Sequence, residues 1–360
     1  MMKINIVLGW YLLTIVTLLF GCNSSLPIQP EAQPTTVTVD INNEEGYDGI
    51  VYQSGTTLWL LNPEEKTKER LLEPVNYASA VSNDLSQVAY STNSQDLWIV
   101  TRGQRNTRQV LLEQLPQLEL SINRLVWSPQ DDKLAILAAP QDNPQSAPEE
   151  SLIFVVDIDQ ENVSQVGCGT DFEWGTNGEY LVLNKTFCAD GEGIYLVEIE
   201  NLASRPIFDE HTNIKSIAVS PTEEKIAFIA GEVSEQSIYI GELATGATTR
   251  LLDGSTINNF QSLEQLAWSP DGQELAVIAT TTGENNLATP SLIIINLTTQ
   301  DFREIASPVR VPLAWSPSSD VIATTVLTST TGIYQIDAIS GQIQILTDDR
   351  LATPINFMWK

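Results

Sequence analysis

Two cysteines twenty positions apart, Cys168 and Cys188, one histidine and forty-six acidic side chains are the groups from which this 360-residue chain would have to assemble chemistry. Two thiols can form a disulfide where the compartment is oxidising. The one histidine, His211 in "FDEHTN", cannot build a multi-histidine metal site, and no cysteine cluster stands ready to help it. It is read as a solvated loop residue. A Ser-His-Asp triad needs a nucleophile elbow, and no G-x-S-x-G occurs. The acidic stretches "DIDQE" at Asp157, "ADGEG" at Ala189 and "DDR" at Asp348 lack the spacing of a calcium loop and are read as solvated turns and strand ends. So many acids offer paired carboxylates for glycoside cleavage by coincidence that no pair is singled out. Trp127, Trp174, Trp268 and Trp315 suggest a stacking platform, but Val81 and Val219 take the same repeat position, which makes it a packing site. No catalytic, cofactor-binding or metal-binding residue is assigned, and no cofactor is implied.

The elements that would position any site follow from a repeat. "LAWSPDGQELAVIA" from Leu266 has counterparts from Ser79, Leu125, Phe172, Ile217 and Leu313. The residue before the turn falls at Val81, Trp127, Trp174, Val219, Trp268 and Trp315, and the same spacing of 44 to 49 residues reaches Trp359 in "INFMW". Each unit reads as two strands around a tight turn set by Pro and Ser-Asp-Gly chemistry. A third strand follows, as in "LWLLN" at Leu58 or "IYIGE" at Ile238, and then a fourth, as in "KERLL" at Lys68 or "TTRLL" at Thr248. The aromatics of the third strands, Trp59, Trp98, Phe154, Tyr195, Tyr239 and Tyr334, keep register and are read as packing. Four short antiparallel strands per period of this length make the blade of a β-propeller.

Counting third strands predicts an all-β fold, a seven-bladed propeller of four-stranded antiparallel blades over residues 48–360, with six or eight blades as the alternatives. The first blade lacks a first strand. The chain end supplies one, so residues 354–359 are expected to pair with Ile50–Gln53 and close the ring, with "TTVTVD" at Thr35–Asp40 as the rival. In a hairpin turning at Asn177-Gly178, Cys168 and Cys188 fall almost opposite one another, which predicts a disulfide within that blade rather than free thiols. The W-S-P-D-G-x-x-L-A unit followed by an "IY" or "LW" strand resembles the TolB-like propeller repeat. That repeat is WD-repeat-like, and the unit is also similar to the repeats in the propeller of prolyl-oligopeptidase-type proteins. The resemblance covers nearly all of residues 48–360 and implies a fold; the separate N-terminal domain and six blades usual in TolB are missing, so its role is not carried over.

The first residues carry a different signal. After Lys3 an apolar run ends at "LFGC", Leu19–Cys22, and a polar tract follows. A positive start, an apolar stretch and a small residue before the break read as an export signal over 1–21, with a retained membrane helix as the rival. The "LFGC" motif resembles the lipobox of bacterial lipoproteins, which implies an acylated Cys22 and a membrane anchor. Residues 22–47, with Pro27, Pro30 and Pro34, read as a flexible tether. A balance of 18 basic against 46 acidic residues, net −28, argues against nucleic acid as a partner. The expectation is therefore a monomeric, lipid-anchored, extracytoplasmic propeller of the bacterial envelope. It would act as a non-catalytic binding or assembly module for a protein or peptide; an envelope enzyme acting on glycans, hydrolase or lyase, at the channel mouth is the alternative. The long inserts from Ala138 and Thr280 are expected to join second to third strands and to mark the partner surface.

Overall fold

The computed structural model describes residues 49–359, apart from 76–77, 92–95, 103–106, 111–119, 141–150, 187, 209, 283–286, 327–331 and 350–356. The export signal, Cys22, the tether and Thr35–Asp40 lie outside the described residues. Within them the alternating apolar segments form seven four-stranded antiparallel sheets, the blades of a propeller. The first strands of blades 2 to 7 are Ser79–Val81, Leu120–Trp127, Asp171–Trp174, Ser216–Val219, Phe260–Trp268 and Val309–Trp315. Blade 1 takes its first strand from the chain end: Phe357–Trp359 lies beside Ile50–Ser54, with Tyr52 opposite Phe357, Val51 opposite Met358 and Ile50 opposite Trp359. The ring thus closes as the sequence predicts.

The Ser-Pro-Asp-Gly stretch works through its hydroxyl. Ser269 Oγ donates to Asp271 Oδ1 (2.6 Å) and accepts from the Glu274 amide (2.9 Å), while the Gly272 amide closes the turn on the Ser269 carbonyl (2.8 Å). Ser82, Ser128 and Ser316 accept from the amide five residues on in the same way. Gly272 has φ +70°, a left-handed conformation that glycine adopts freely.

Between consecutive blades lie clusters of buried apolar side chains, such as Ala135, Ile153, Phe172 and Leu183 between blades 3 and 4. The repeated tryptophans lock these interfaces directionally. Trp127 Nε1 donates to the Ala80 carbonyl (3.1 Å), Trp174 to Val126 (3.1 Å), Trp268 to Ala218 (2.9 Å) and Trp315 to Ala267 (3.0 Å). Each acceptor lies on the preceding blade, one residue before that blade's own turn-flanking Trp or Val. The tryptophans are therefore structural. Trp268→Phe keeps most of the ring but removes the donor, and is expected to cost about 1 kcal/mol. An unchanged denaturation midpoint would show that the bond contributes nothing.

A second set of cross-blade bonds starts three residues before the same position. Arg124 Nη1 donates to the Phe172 carbonyl (3.0 Å), Gln265 Oε1 accepts from the Leu313 amide (2.9 Å), and Ser216 Oγ accepts from the Leu266 amide (3.4 Å). The stretches from Ala138 and Thr280 join second to third strands, as expected, but the second is in part strand itself. Thr280–Thr282 pairs with Ala288–Pro290, so the stretch from Thr280 mostly lengthens a hairpin of blade 6 rather than forming a loop. Residues 141–150 and 283–286 lie outside the described residues.

Candidate functional site

The cysteine pair comes together, with Cα atoms 6.0 Å apart and both side chains buried. The blade assignment needs correction. Cys168 ends the outer strand of blade 3, Asn162–Cys168, opposite Leu152, whereas Cys188 follows the second strand of blade 4, Tyr180–Lys185. Only Gly169 and Thr170 separate the two blades in sequence, so a residue placed at the head of one hairpin still belongs to its neighbour. Gly169 is needed there, since an added Cβ would meet the Asn184 carbonyl oxygen at 2.4 Å. A disulfide would therefore join two blades rather than staple one. In protein from its own compartment both thiols are expected to be oxidised. Reduction or Cys188→Ser should lower stability by about 2–4 kcal/mol. Mass analysis finding both thiols free would remove this reading.

His211 lies on the connection between blades 4 and 5, as expected, but it is not solvated. Its ring packs at 5.0 Å from Phe228 and 4.3 Å from Tyr239, and Nε2 lies 3.1 Å from Thr248 Oγ1. Burial pushes the imidazole below its ordinary value of 6.5, and nearby Glu210 opposes this only in part. The acidic stretches resolve into local roles. Asp157 Oδ1 accepts from the amides of Asp159 and Gln160. Asp190 pairs with the buried Lys185 at 2.6 Å. Asp349 receives Tyr52 Oη and Lys68 Nζ, tying blade 1 to the end of blade 7.

A charged cluster on the first strands went unseen in the sequence. In blade 3 a bulge between Ile122 and Arg124 interrupts the pairing and re-aims the strand. Arg124 then reaches blade 4, pairing through Nη1 with Asp171 and through Nη2 with Glu173 (2.9 Å), its guanidinium 4.8 Å from the Phe172 ring centre. The three side chains keep 29 to 33% of their surface exposed. First strands line the axis of a propeller, so the cluster sits on the inner strands of two neighbouring blades. Burial pushes the Asp171 and Glu173 carboxyls up from 3.8 and 4.5, more strongly than Arg124 draws them down, and the Asp171 charge raises Glu173 further. Burial opposes the Arg124 charge, but the two carboxylates outweigh it. Two carboxyls on one cation, both raised, can hold and release a proton. One signal was available: Glu173 stands where other blades carry Ala80, Ala218, Ala267 and Ala314.

The other feature is a groove of about 940 Å³ across blades 3, 4 and 5. It is formed by first-to-second turns (Gln130, Asn177, Glu179) and third-to-fourth turns (Gln160, Glu200, Ala244). Antiparallel blades place both kinds of turn at one end, so the groove lies opposite the end that carries the inserts.

The chain matches no protein-family model and no curated protein. Among solved structures it is similar to oligogalacturonate lyase from Vibrio parahaemolyticus, at 13% identity, covering 84% of this chain and 96% of that one with a TM-score of 0.61. It is also similar to acylaminoacyl peptidase from Pyrococcus horikoshii, at 14% identity over 84% of this chain and 52% of that one, TM-score 0.52. TolB from Acinetobacter baumannii aligns at 12% identity over 88% and 80% of the two chains, TM-score 0.49. At such identities a likeness carries fold and no activity. The chain is a seven-bladed β-propeller of four-stranded antiparallel blades, similar in fold to the propellers of enzymes.

Proposed function

We propose that the chain is a monomeric extracytoplasmic propeller of the bacterial envelope, anchored through an acylated Cys22, that binds a protein or peptide partner without chemistry. The observation that carries this reading is the groove: a concavity lined by turns and strand residues of three blades, many of them polar, with no histidine, cysteine or serine nucleophile-base pair among its lining residues. Polar groups of the first strands support it too, because Arg124, Gln265 and Ser216 are engaged in blade-to-blade bonds. Crosslinking and mass spectrometry in the native envelope test the reading, together with fractionation of Cys22→Ala. A partner crosslinked reproducibly to the propeller, and release of the variant from the membrane, are expected. A wild-type chain without crosslinks, or a Cys22→Ala variant that stays membrane-bound, would sink the corresponding half.

One observation favours a second reading, an envelope enzyme acting on glycans at the channel. Arg124, Asp171 and Glu173 converge from two blades, and raised carboxyls suit general acid work. Glu173→Gln would then abolish product release from envelope polysaccharides while the fold stayed intact. Absence of turnover by the wild-type chain across a glycan panel would retire it.

A further inference from the structure

Within the binding reading, the groove itself says what it would take. Its rim carries Asp157, Glu179, Glu198, Glu200 and Glu224, drawn from three blades. Among the described residues, none of these five has a cationic side chain within ion-pair distance. Two cations also line the groove: Lys133 pairs with Asp132, itself a lining residue, and Arg205 donates to the Leu243 carbonyl at 3.3 Å, so the acids outnumber them. Like charges gathered on one concave surface repel, and a bound counter-charge relieves that repulsion. Among the described residues, no three of these acids bring carboxylate oxygens within 4.8 Å of one another. Such an arrangement does not make the six-to-eight-oxygen cage of a calcium ion. The same lining includes Tyr180, Ile199 and Leu202, the last 41% exposed. An occupant that carries both positive charges and aliphatic groups matches this mixed acidic and apolar lining.

We propose that the groove at the turn end of blades 3 to 5 docks a cationic, lysine- or arginine-bearing extended segment of a partner protein. Its chain would lie over Tyr180 and Leu202, with its cations over the rim carboxylates. The net charge of −28 assists encounter with such a segment and opposes acidic ligands. The inference rests on the binding reading and places its site at the end of the propeller away from the inserts.

The probe is a fluorescein-labelled ten-residue peptide of lysine, serine and leucine, with a matched peptide carrying glutamate for lysine. Saturable one-to-one anisotropy binding is expected for the first and none for the second. The double variant Glu198→Lys/Glu200→Lys should bind about tenfold more weakly or worse, since two rim contacts are lost and their sign reversed. Glu64→Lys/Glu65→Lys makes the same charge change on the corresponding turn of blade 1 and should alter binding less than about twofold. Thermal melts establish that each variant folds, and Glu179→Gln/Glu224→Gln offers a milder pair if the first does not. Equal weakening by both lysine pairs would reduce the effect to the field of the whole protein and overturn the inference. So would unsaturable binding. If the peptide fails while envelope crosslinking finds a partner elsewhere on the propeller, the groove assignment falls and the binding reading stands. If crosslinking finds no partner anywhere, both fall.

Discussion

A chain truncated after Thr353 is expected to lose about 3–5 kcal/mol of stability and to aggregate from the edge it exposes. Removal of Phe357–Trp359 leaves Ile50, Val51 and Tyr52 without partners on one side. It also takes Met358 from the apolar cluster between blades 1 and 2, and Trp359 from the one between blades 7 and 1. Against a total of roughly 5–15 kcal/mol for a folded domain, that loss is large. Asp349, which receives Tyr52 and Lys68, remains in the truncated chain, so the experiment isolates the strand from the side-chain link beside it. Thermal melting and size-exclusion chromatography read the result. A truncated chain that stays monomeric and melts with the full-length protein would refute closure by this strand.

Arg124→Ala is the second large effect. The guanidinium neutralises two enclosed carboxylates on the next blade and donates to the Phe172 carbonyl, so its removal strands three acceptors at one interface. Breaking a fully buried pair costs about 3–5 kcal/mol; with a third of each side chain exposed, about 2–3 kcal/mol is expected here. The pH dependence has a definite sign. Asp171 and Glu173 titrate above their unfolded values, so the folded state binds protons more tightly than the unfolded chain. Their contribution to stability is fully present below 3.8 and 4.5, and it is lost as pH rises through the higher folded values. Without Arg124 the carboxyls rise further. The variant should therefore be closest to wild type in acid and furthest from it at neutral to alkaline pH, in denaturant titrations run at both. A difference that grows on acidification would contradict the assignment.

What the sequence disclosed is what repeats. The turn chemistry around Ser269, Asp271 and Gly272, the packing role of Trp268 and the place of Trp359 are all legible because several copies carry the same signal. The cysteine pair was legible as a pair, because strand pairing fixes which positions approach. Its blade was not, because the Gly169-Thr170 connection is too short for sequence to show where one sheet ends. Arg124, Asp171 and Glu173 were hidden for the opposite reason. Their contact spans 47 and 49 positions and departs from the repeat, so aligning copies averages it away. His211 was misjudged as solvated because the rings that enclose it, Phe228 and Tyr239, come from the next blade.

The tryptophan bonds do not run all the way round. They join blades 2, 3 and 4 to one another and blades 5, 6 and 7 to one another. Val81 and Val219 have no indole to offer at the two intervening seams, and Trp359 Nε1 has no acceptor among the described residues at the third. The first-strand bonds of Arg124, Ser216 and Gln265 fall inside the same two groups. In these two sets of bonds the ring divides into two three-blade arcs, and other contacts join them: Asp349 with Tyr52 and Lys68 between blades 7 and 1, Arg102 with Glu69 between blades 2 and 1, and Arg205 with the Leu243 carbonyl between blades 4 and 5. Partial opening should release amide protons at the seams first, with each arc exchanging as a later cooperative unit in native-state hydrogen exchange.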